Sequence, residues 1–212
     1  MKKYKNFHII HHPLIEHKLT IIRDESTDHK TFRELVTEVT TLMTFECTKD
    51  FLTSSKVIQT PMSETIGNFI SGNDVVIVPI LRAGLGMING LNQLIPNARV
   101  GYIGMERDEM THKPVDYYFK VPDRSEKRTF IILDPMLATG GTATAAASSL
   151  KNLGAENIKF MCLIAAPEGR DRFCETHPDI KVYTASLDKR LDENQYIIPG
   201  LGDAGDRLFG TE

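Results

Sequence analysis

Short apolar runs that alternate with helix-forming stretches constrain the fold of this chain more than any other feature. Runs of this length, rich in β-branched residues, are typical of strands buried on both faces of a sheet. Strands that alternate with helices form a mainly parallel, doubly wound α/β sheet. We therefore predict an α/β core over 73–185, with strands at Val75–Leu81, Arg99–Met105, Phe130–Leu133, Ile158–Ala165 and Ile180–Ala185, and helices at Leu85–Ile95, Ala143–Leu150 and between Pro167 and Pro178.

Two further segments, one before this core and one inside it, lack the strand pattern. From Asp28 to about Thr53, apolar residues recur at three- and four-residue steps, as on the buried face of a helix. Asp28 or Thr31 is placed to cap the start of that helix. The polar segment 108–128 shows no helical pattern, and a connection of this length is typical of a lid, an interface arm or a binding loop.

The composition argues against several classes of protein. A net charge of −3 gives no support for a nucleic-acid or membrane surface, and no apolar run approaches the roughly 20 residues of a membrane-spanning helix. The first ten residues lack the apolar region of a signal peptide. Cys47, Cys162 and Cys174 share no CxxC spacing, which is typical of a reducing compartment. We therefore expect one cytoplasmic domain.

The stretch 129–142, TFIILDPMLATGGT, has the pattern of a phosphate-binding loop. An apolar strand stops at Asp134, and small residues follow where a helix begins. Their backbone amides and the helix N-terminus can hold a phosphate, while Asp134 is placed to meet sugar hydroxyls or a metal. The alternative is an ordinary strand–helix turn that needs glycine for its geometry.

Arg82 and Arg107 follow two other predicted strands. Because parallel strands end at the same edge of a sheet, we expect both arginines to share one rim with Asp134. Guanidinium groups bind phosphate oxygens through paired hydrogen bonds. The rim therefore suits a ligand that carries phosphates at both ends.

Glycine patterns elsewhere leave a dehydrogenase open as an alternative. The segment 84–90, GLGMING, follows a strand and opens a helix, nearly the layout of a dinucleotide-binding turn. The segment 200–205, GLGDAG, matches that motif in its letters but lacks the helix and the acid that should follow. The absence of any Gly-Lys pair excludes a P-loop.

The run 195–212, QYIIPGLGDAGDRLFGTE, combines glycines with large apolar residues. Disordered tails rarely contain so many apolar groups. Glycines allow the backbone to approach a flat ligand closely and to offer it donors and acceptors. The alternative is a docked tail that covers one edge of the fold.

These stretches together resemble the uracil phosphoribosyltransferases of bacteria. The resemblance rests on ILRAGLGM at 80–87, GMERDE at 104–109, ILDPMLATGGT at 132–142 and YIIPGLGDAGDRLFGT at 196–211. It implies transfer of a ribose 5-phosphate group from 5-phosphoribosyl 1-diphosphate (PRPP) to uracil, giving UMP and diphosphate. It also implies that a helical N-terminal region, residues 1–72, and the segment 186–212 form a hood over the base.

The resemblance assigns roles to individual residues. Arg82, Arg107, Asp134 and Asp203 are implied as catalytic groups, with both arginines on the diphosphate and Asp203 beside the sugar phosphate. Ile197, Gly202, Asp203 and Ala204 are implied to read uracil. The implied PRPP-binding residues are Arg82, Arg107, Asp134, Pro135, Met136, Leu137, Ala138, Thr139, Gly140, Gly141, Thr142 and Asp203.

The resemblance also names partners. The diphosphate of PRPP is implied to carry Mg²⁺, with no metal ligand supplied directly by the protein. Family members form dimers or larger assemblies, which predicts a homo-oligomer here, and GTP activates some of them. A phosphoribosyltransferase-like fold used as a nucleic-acid-binding regulator is the alternative of a different class, although the acidic balance argues against it.

Overall fold

A computed structural model describes residues 2–70, 75–107, 114–122 and 128–211. Its first half contains β1 (Phe7–Ile9), α1 (Pro13–Arg23), α2 (His29–Cys47), β2 (Thr53–Gln59), β3 (Glu64–Ile70), β4 (Val75–Leu81), α3 (Leu85–Leu94), β5 (Arg99–Val100) and β6 (Tyr102–Arg107). The second half contains β7 (Pro114–Lys120), β8 (Thr129–Leu133), β9 (Met136–Leu137), α4 (Gly141–Asn152), β10 (Asn157–Ala165), α5 (Pro167–Thr176), β11 (Lys181–Leu187), β12 (Arg190–Leu191), β13 (Ile197–Ile198) and α6 (Ala204–Phe209).

The central sheet has the strand order β1-β11-β10-β8-β4-β6-β7. From β1 to β6 each neighbouring pair is parallel, and β7 joins the edge of β6 antiparallel. Hydrophobic side chains pack on both faces of the sheet, against α1, α2 and α3 on one side and against α4 and α5 on the other. The predicted α/β, mainly parallel doubly wound fold is therefore confirmed.

Helix α2 shows how the sequence pattern produces the packing. Phe32, Val36, Val39 and Met43 recur at three- and four-residue steps and are completely buried. The Asp28 carboxylate accepts hydrogen bonds from the amides of Lys30 and Thr31, so Asp28 is the N-cap residue. The helix ends at Cys47, short of the predicted end near Thr53.

Residues 1–72, which the resemblance implies to be a helical region, contain strands as well as helices. Residues Phe7–Ile9 form β1, which pairs with β11 and so belongs to the central sheet. Strands β2 and β3 form an antiparallel hairpin over Thr53–Ile70. Most side chains of that hairpin are exposed on both faces, so the alternating pattern that reveals a half-buried strand is missing.

The segment 108–128, in which the sequence shows no helical pattern, contains a strand that the sequence analysis did not identify. Residues Pro114–Lys120 form β7, which pairs with β6 at the edge of the sheet. Aromatic and β-branched residues favour a strand here, and a proline at the first position of an edge strand leaves the pairing intact. The remainder of the predicted lid or arm, 108–113 and 123–127, lies outside the described residues.

Among the residues that the structure describes, no helix has the length and apolar character needed to cross a membrane.

Candidate active site

The predicted rim residues follow neighbouring strands of the central sheet. Arg82 follows β4 and Asp134 follows β8, and these two strands pair in parallel register. The backbone of Arg107 ends β6, which pairs with the other side of β4. The side chain of Arg107 lies outside the described portion of the structure. The sheet therefore brings all three backbones to one edge, as the sequence predicts.

The loop Asp134–Gly140 leads from that edge into helix α4. Its middle, β9, pairs with the end of β10, and the Pro135 carbonyl accepts hydrogen bonds from the amides of Leu163 and Ile164. Gly140 is the N-cap of α4 and has a left-handed φ of 75°, a conformation that glycine adopts without strain. The first amides of an α-helix have no partner within the helix. The Gly141 amide donates to the Thr139 hydroxyl at 3.5 Å. The loop therefore presents a helix N-terminus where the sequence predicts a phosphate site.

Helix α5 supports this loop from behind. A Cβ atom placed on Gly169 would lie 2.4 Å from the Ala138 carbonyl oxygen and 2.5 Å from that of Leu137. A Cβ atom on Gly140 would lie 2.8 Å from the Gly169 carbonyl oxygen. These neighbours are backbone atoms, which cannot rotate away as a side chain can. The phosphate loop and the first turn of α5 therefore fit only because both positions are glycine.

Asp134 is a partly buried residue whose carboxyl group has an altered acidity. Burial raises its pKa to about 7, while a hydrogen bond from the Met136 amide opposes this rise. The carboxylate oxygen lies 3.3 Å from that amide nitrogen. Pro135, the next residue, supplies no second acid. A ligand that donates hydrogen bonds to Asp134, such as a ribose diol, stabilises the ionised form.

Arg82 joins the rim to the C-terminal segment. Its Nη2 atom lies 3.4 Å from Oδ1 of Asp206, and its guanidinium lies 6.0 Å from the ring centre of Phe209. The side chain of Arg82 is 60% exposed, so most of its donors face solvent. Arg82 is therefore available to an anionic ligand at the edge of the sheet.

The C-terminal segment forms a compact loop beside this rim. Strands β12 and β13 pair antiparallel and bring Ile197, which is buried, opposite Leu191. Gly200 and Gly202 both have left-handed φ angles, of 65° and 77°. Asp203 caps α6 by accepting a hydrogen bond of 2.9 Å from the Asp206 amide, and Ala204 begins that helix. The expectation that no helix follows the glycines at 200–205 is therefore wrong. The backbone of the predicted base-binding residues is thus ordered by short-range contacts.

A buried ion pair that the sequence analysis missed holds this segment. Arg23, at the end of α1, makes a two-pronged contact of 2.6 and 2.7 Å with Asp188, which follows β11. Burial raises the pKa of Asp188, but hydrogen bonds from Arg23, Ser186 and the Gly200 amide lower the pKa more, so it lies below the usual value. The available signal was an acid three residues after the predicted strand Ile180–Ala185, a placement similar to that of Asp134 after its strand.

Arg207 is a second missed anchor. Its guanidinium donates to the carbonyl oxygens of Ile22, Asp24 and Leu201 and stacks over Phe32 at 4.5 Å. These contacts fasten α6 to the end of α1. A cleft of about 660 Å³ lies next to them and is lined in part by Gly202 and Asp203.

The glycines at 84–90 do not form a dinucleotide-binding turn. A Cβ atom on Gly84 would lie 2.4 Å from the Leu133 carbonyl oxygen, and one on Gly90 would lie 2.6 Å from the Thr40 side chain. A Cβ atom on Gly86 would meet Leu208 at 2.7 Å. All three glycines therefore permit packing against other regions of the protein, which removes the observation that favoured a dehydrogenase.

Within the described ranges, no group of three or more His, Cys, Asp or Glu side chains is arranged to hold a metal ion.

Comparison with known proteins gives one consistent result. The family model described as "Uracil phosphoribosyltransferase" matches residues 9–211. Uracil phosphoribosyltransferase of Listeria innocua is 56% identical over 207 residues, covering 98% of this chain and 99% of that protein. That of Geobacillus kaustophilus is 57% identical over 205 residues, covering 97% and 98%. The solved structure of the AQ2163 protein of Aquifex aeolicus matches with a TM-score of 0.91 at 37% identity, covering 97% of this chain and 99% of that one.

Proposed function

The chain belongs to the uracil phosphoribosyltransferase family, and we propose that it is a glycosyltransferase that converts uracil and PRPP to UMP and diphosphate in pyrimidine salvage. One structural observation carries this proposal beyond the family match. The phosphate loop and Arg82 share one edge of the sheet, and Arg82 also contacts the helix that ends the base-binding segment. One substrate, a sugar with phosphates at both ends, can therefore bind next to the other substrate, a flat base.

We assign the sugar phosphate to the loop from Asp134 to Thr142. The backbone amides from Ala138 to Thr142, with the N-terminus of α4, offer donors to the 5-phosphate. Pro135, Met136 and Leu137 shape the loop through their contacts with β10. Asp134 accepts hydrogen bonds from the ribose hydroxyls, which favours its carboxylate form.

We assign uracil to the backbone of Ile197 and of Gly202–Ala204. Uracil presents alternating carbonyl and N–H groups at its edge, and peptide groups offer the complementary donors and acceptors. The left-handed conformation of Gly202 turns its peptide groups in a direction that L side chains rarely permit. Asp203 lies between these groups and is assigned to the sugar side of the base.

The reaction breaks the bond between ribose carbon 1 and the diphosphate, whose oxygen keeps the electron pair. It forms a bond from that carbon to a uracil nitrogen, which releases its proton to solvent. The ribose carbon gains positive charge as the diphosphate leaves, so stabilising the departing anion is the main contribution the protein can make. We assign this role to Arg82 and Arg107. Removing one such preorganised contact typically costs about 3 kcal/mol, or roughly a hundredfold in rate.

Mg²⁺ bound to the diphosphate of PRPP fits this site. Mg²⁺ usually retains water molecules and takes substrate phosphate oxygens with one or two carboxylates. Asp134 provides a single carboxyl group at the phosphate loop, because the next residue, Pro135, is not an acid. The ion supplies charge neutralisation for the leaving group when bound. The residues present therefore fit an ion that the substrate carries.

We also propose that the protein is a homo-oligomer whose subunits contact through the hairpin β2–β3. Val57 and Ile66 pair across this hairpin and are 64% and 70% exposed, and Met62 in its turn is 91% exposed. Exposed apolar side chains that form a contiguous patch mark interaction sites. In an assembly of identical chains, the exposed apolar side chains of one subunit can pack against another subunit, so no other protein is needed.

Two further assignments rest on the family and on the cysteines. GTP is the candidate activator because it activates some family members. The cytoplasm is the proposed location, because all three cysteines are buried free thiols, as expected in a reducing compartment.

The decisive experiment is an assay of UMP formation with uracil, cytosine or orotate as acceptor. We expect UMP from uracil, far less nucleotide from cytosine or orotate, and loss of the product when EDTA removes Mg²⁺. Addition of GTP tests the activator. Absence of UMP under all conditions would overturn the proposed function, and a salt-dependent complex with RNA would then favour the regulatory alternative.

A further inference from the structure

We propose that the ion pair Arg23–Asp188 is a positioning device for the pyrimidine base, which acts by holding both backbone polar groups of Gly200. This inference rests on the proposed function, because it concerns the affinity of that same site for uracil. Neither residue belongs to the phosphate loop or to the base-binding set assigned above.

The geometry around Gly200 is the first observation. Nη1 of Arg23 donates to the Gly200 carbonyl oxygen at 2.6 Å and to Oδ2 of Asp188 at 2.7 Å. The Gly200 amide donates to the same Oδ2 atom at 3.0 Å. The backbone donor and the backbone acceptor of one residue are therefore held by the two members of one ion pair.

The ion pair is itself held rigidly. The Asp188 side chain is 2% exposed and also accepts a hydrogen bond of 2.7 Å from the Ser186 hydroxyl. The Asp188 amide donates to the Ala165 carbonyl oxygen at 2.8 Å, which ties it to the end of β10. Arg23 ends helix α1, and its side chain is 21% exposed. Gly200 is thus fixed relative to the central sheet and not only to its own loop.

The position of Gly200 determines that of the base-binding backbone. A Cβ atom on Gly200 would lie 2.0 Å from the Ile197 carbonyl oxygen, so these backbones are in close contact. Two residues further on, Gly202 begins the other portion of the base-binding set. A shift of Gly200 therefore moves groups on both sides of the base.

Backbone recognition makes the base sensitive to such shifts. Hydrogen bonds weaken steeply as their distance and angle depart from the favoured values. A site that pairs with specific N–H and carbonyl groups also rejects analogues that leave its own groups unpaired. We call the ion pair Arg23–Asp188, together with its hydrogen bonds to Gly200, the clamp. The clamp is therefore expected to set both the KM for uracil and the preference for uracil over cytosine.

The PRPP half of the site has supports that do not include Arg23 or Gly200. The phosphate loop is held by β10 and by Gly169 of α5, and Arg82 extends from β4. Loss of the clamp should therefore change the KM for uracil much more than the KM for PRPP. A general loss of stability would alter both together.

The test compares Arg23→Met, Arg23→Lys and Asp188→Asn with a matched control, Lys159→Met. Lys159 is buried, pairs with Asp50 and donates to the Cys47 carbonyl oxygen at 2.6 Å, near the start of β10 and so at the opposite end of that strand from the rim. It is therefore a buried cation with an acid and a helix-end carbonyl as partners, but far from the base-binding segment.

We expect Arg23→Met to raise the KM for uracil about tenfold or more, with the KM for PRPP within about twofold, and to reduce the uracil-to-cytosine preference. Arg23→Lys keeps the charge but loses the two-pronged guanidinium contact with Asp188, so its affinity for uracil should lie above that of Arg23→Met. Asp188→Asn retains an acceptor for the Gly200 amide and should lie between the wild type and Arg23→Met. Lys159→Met should lower the thermal midpoint with both KM values unchanged.

Equal increases in both KM values, or an unchanged KM for uracil in folded Arg23→Lys and Asp188→Asn, would overturn the positioning role while leaving the proposed function intact. A wild-type protein that forms no UMP would overturn the proposed function itself, and the positioning role with it.

Discussion

The Arg82 guanidinium lies 3.4 Å from the Asp206 carboxylate, so the residue that follows central strand β4 contacts the first turn of helix α6. The contact joins the two halves of the proposed site across 124 residues of sequence. In the proposed mechanism, Arg82 exchanges some of this weak contact for the diphosphate when PRPP binds. That exchange would couple occupation of the PRPP half to the proposed base-binding segment.

Arg82→Ala should lower kcat/KM by about a hundredfold, because a preorganised cation at the leaving group is lost. The side chain is 60% exposed, so the thermal midpoint should stay close to that of the wild type. Steady-state kinetics and calorimetry measure both quantities. Arg172→Ala, which removes an arginine from α5, is the control and should retain full activity. Near-normal kinetics for Arg82→Ala would remove Arg82 from the mechanism.

Asp203→Ala should reduce turnover far more than Asp171→Ala. Asp203 lies in the base-binding run and caps α6, whereas Asp171 pairs with Arg170 on α5. Asp203→Asn keeps a capping oxygen, and so separates loss of the cap, typically about 1 kcal/mol, from loss of the charge. Equal rates of UMP formation in the Asp203 and Asp171 variants would contradict the assignment.

Asp134→Asn should stabilise the ligand-free protein more at pH 8 than at pH 5. Burial raises the pKa of Asp134 to about 7, whereas an unfolded aspartate titrates near pH ~4. Between these values the folded chain retains a proton that the unfolded chain has released, so the wild type loses stability as the pH rises through this range. Thermal midpoints at both pH values measure the difference. A variant whose advantage is the same at pH 5 and pH 8 would show that Asp134 titrates normally.

Gly169→Ala should lower kcat/KM for PRPP by about a hundredfold, because the added methyl group meets two loop carbonyl oxygens and displaces the phosphate loop. Thr176→Ala, at the exposed end of the same helix, controls for general effects on α5. The comparison uses the KM for PRPP and the KM for uracil side by side. An unaltered KM for PRPP would mean that the loop adapts without loss.

Ile66→Lys should weaken self-association by at least about tenfold, because it places a charge in the exposed apolar patch of the hairpin. Thr65→Lys introduces the same charge on the opposite face of β3 and serves as the control. Sedimentation velocity over a range of concentrations gives the assembly state. Identical behaviour of both variants and the wild type would place the subunit contact elsewhere.

The rim of the site was predictable from the sequence because each strand that leads to it is a short, continuous stretch of the chain. Buried strands are visible as apolar runs, and parallel strands must end at the same edge, so Arg82 and Asp134 are brought together by connectivity alone. The strand–loop–helix geometry at 133–141 was equally visible, since Gly140 occupies a left-handed N-cap position that glycine adopts without strain.

The supports of the site were not predictable in the same way. Arg23 and Asp188 are 165 residues apart, and no periodicity relates them. Hairpin β2–β3 was not predicted, because most of its side chains are exposed on both faces and the alternating pattern of a half-buried strand is missing. The three residues of β1 are too few to form a pattern at all.

The pairing of β1 with β11 has a consequence for how the chain folds. The Asn6 side chain donates to the Ile180 carbonyl oxygen at 2.9 Å across 174 residues, and the β1 register runs beside it. Contacts between such distant residues form only after a large loss of chain entropy, which slows folding. Until β1 docks, β11 presents an unpaired edge to other chains. The three residues of β1 therefore shield part of the β11 edge from pairing with other chains.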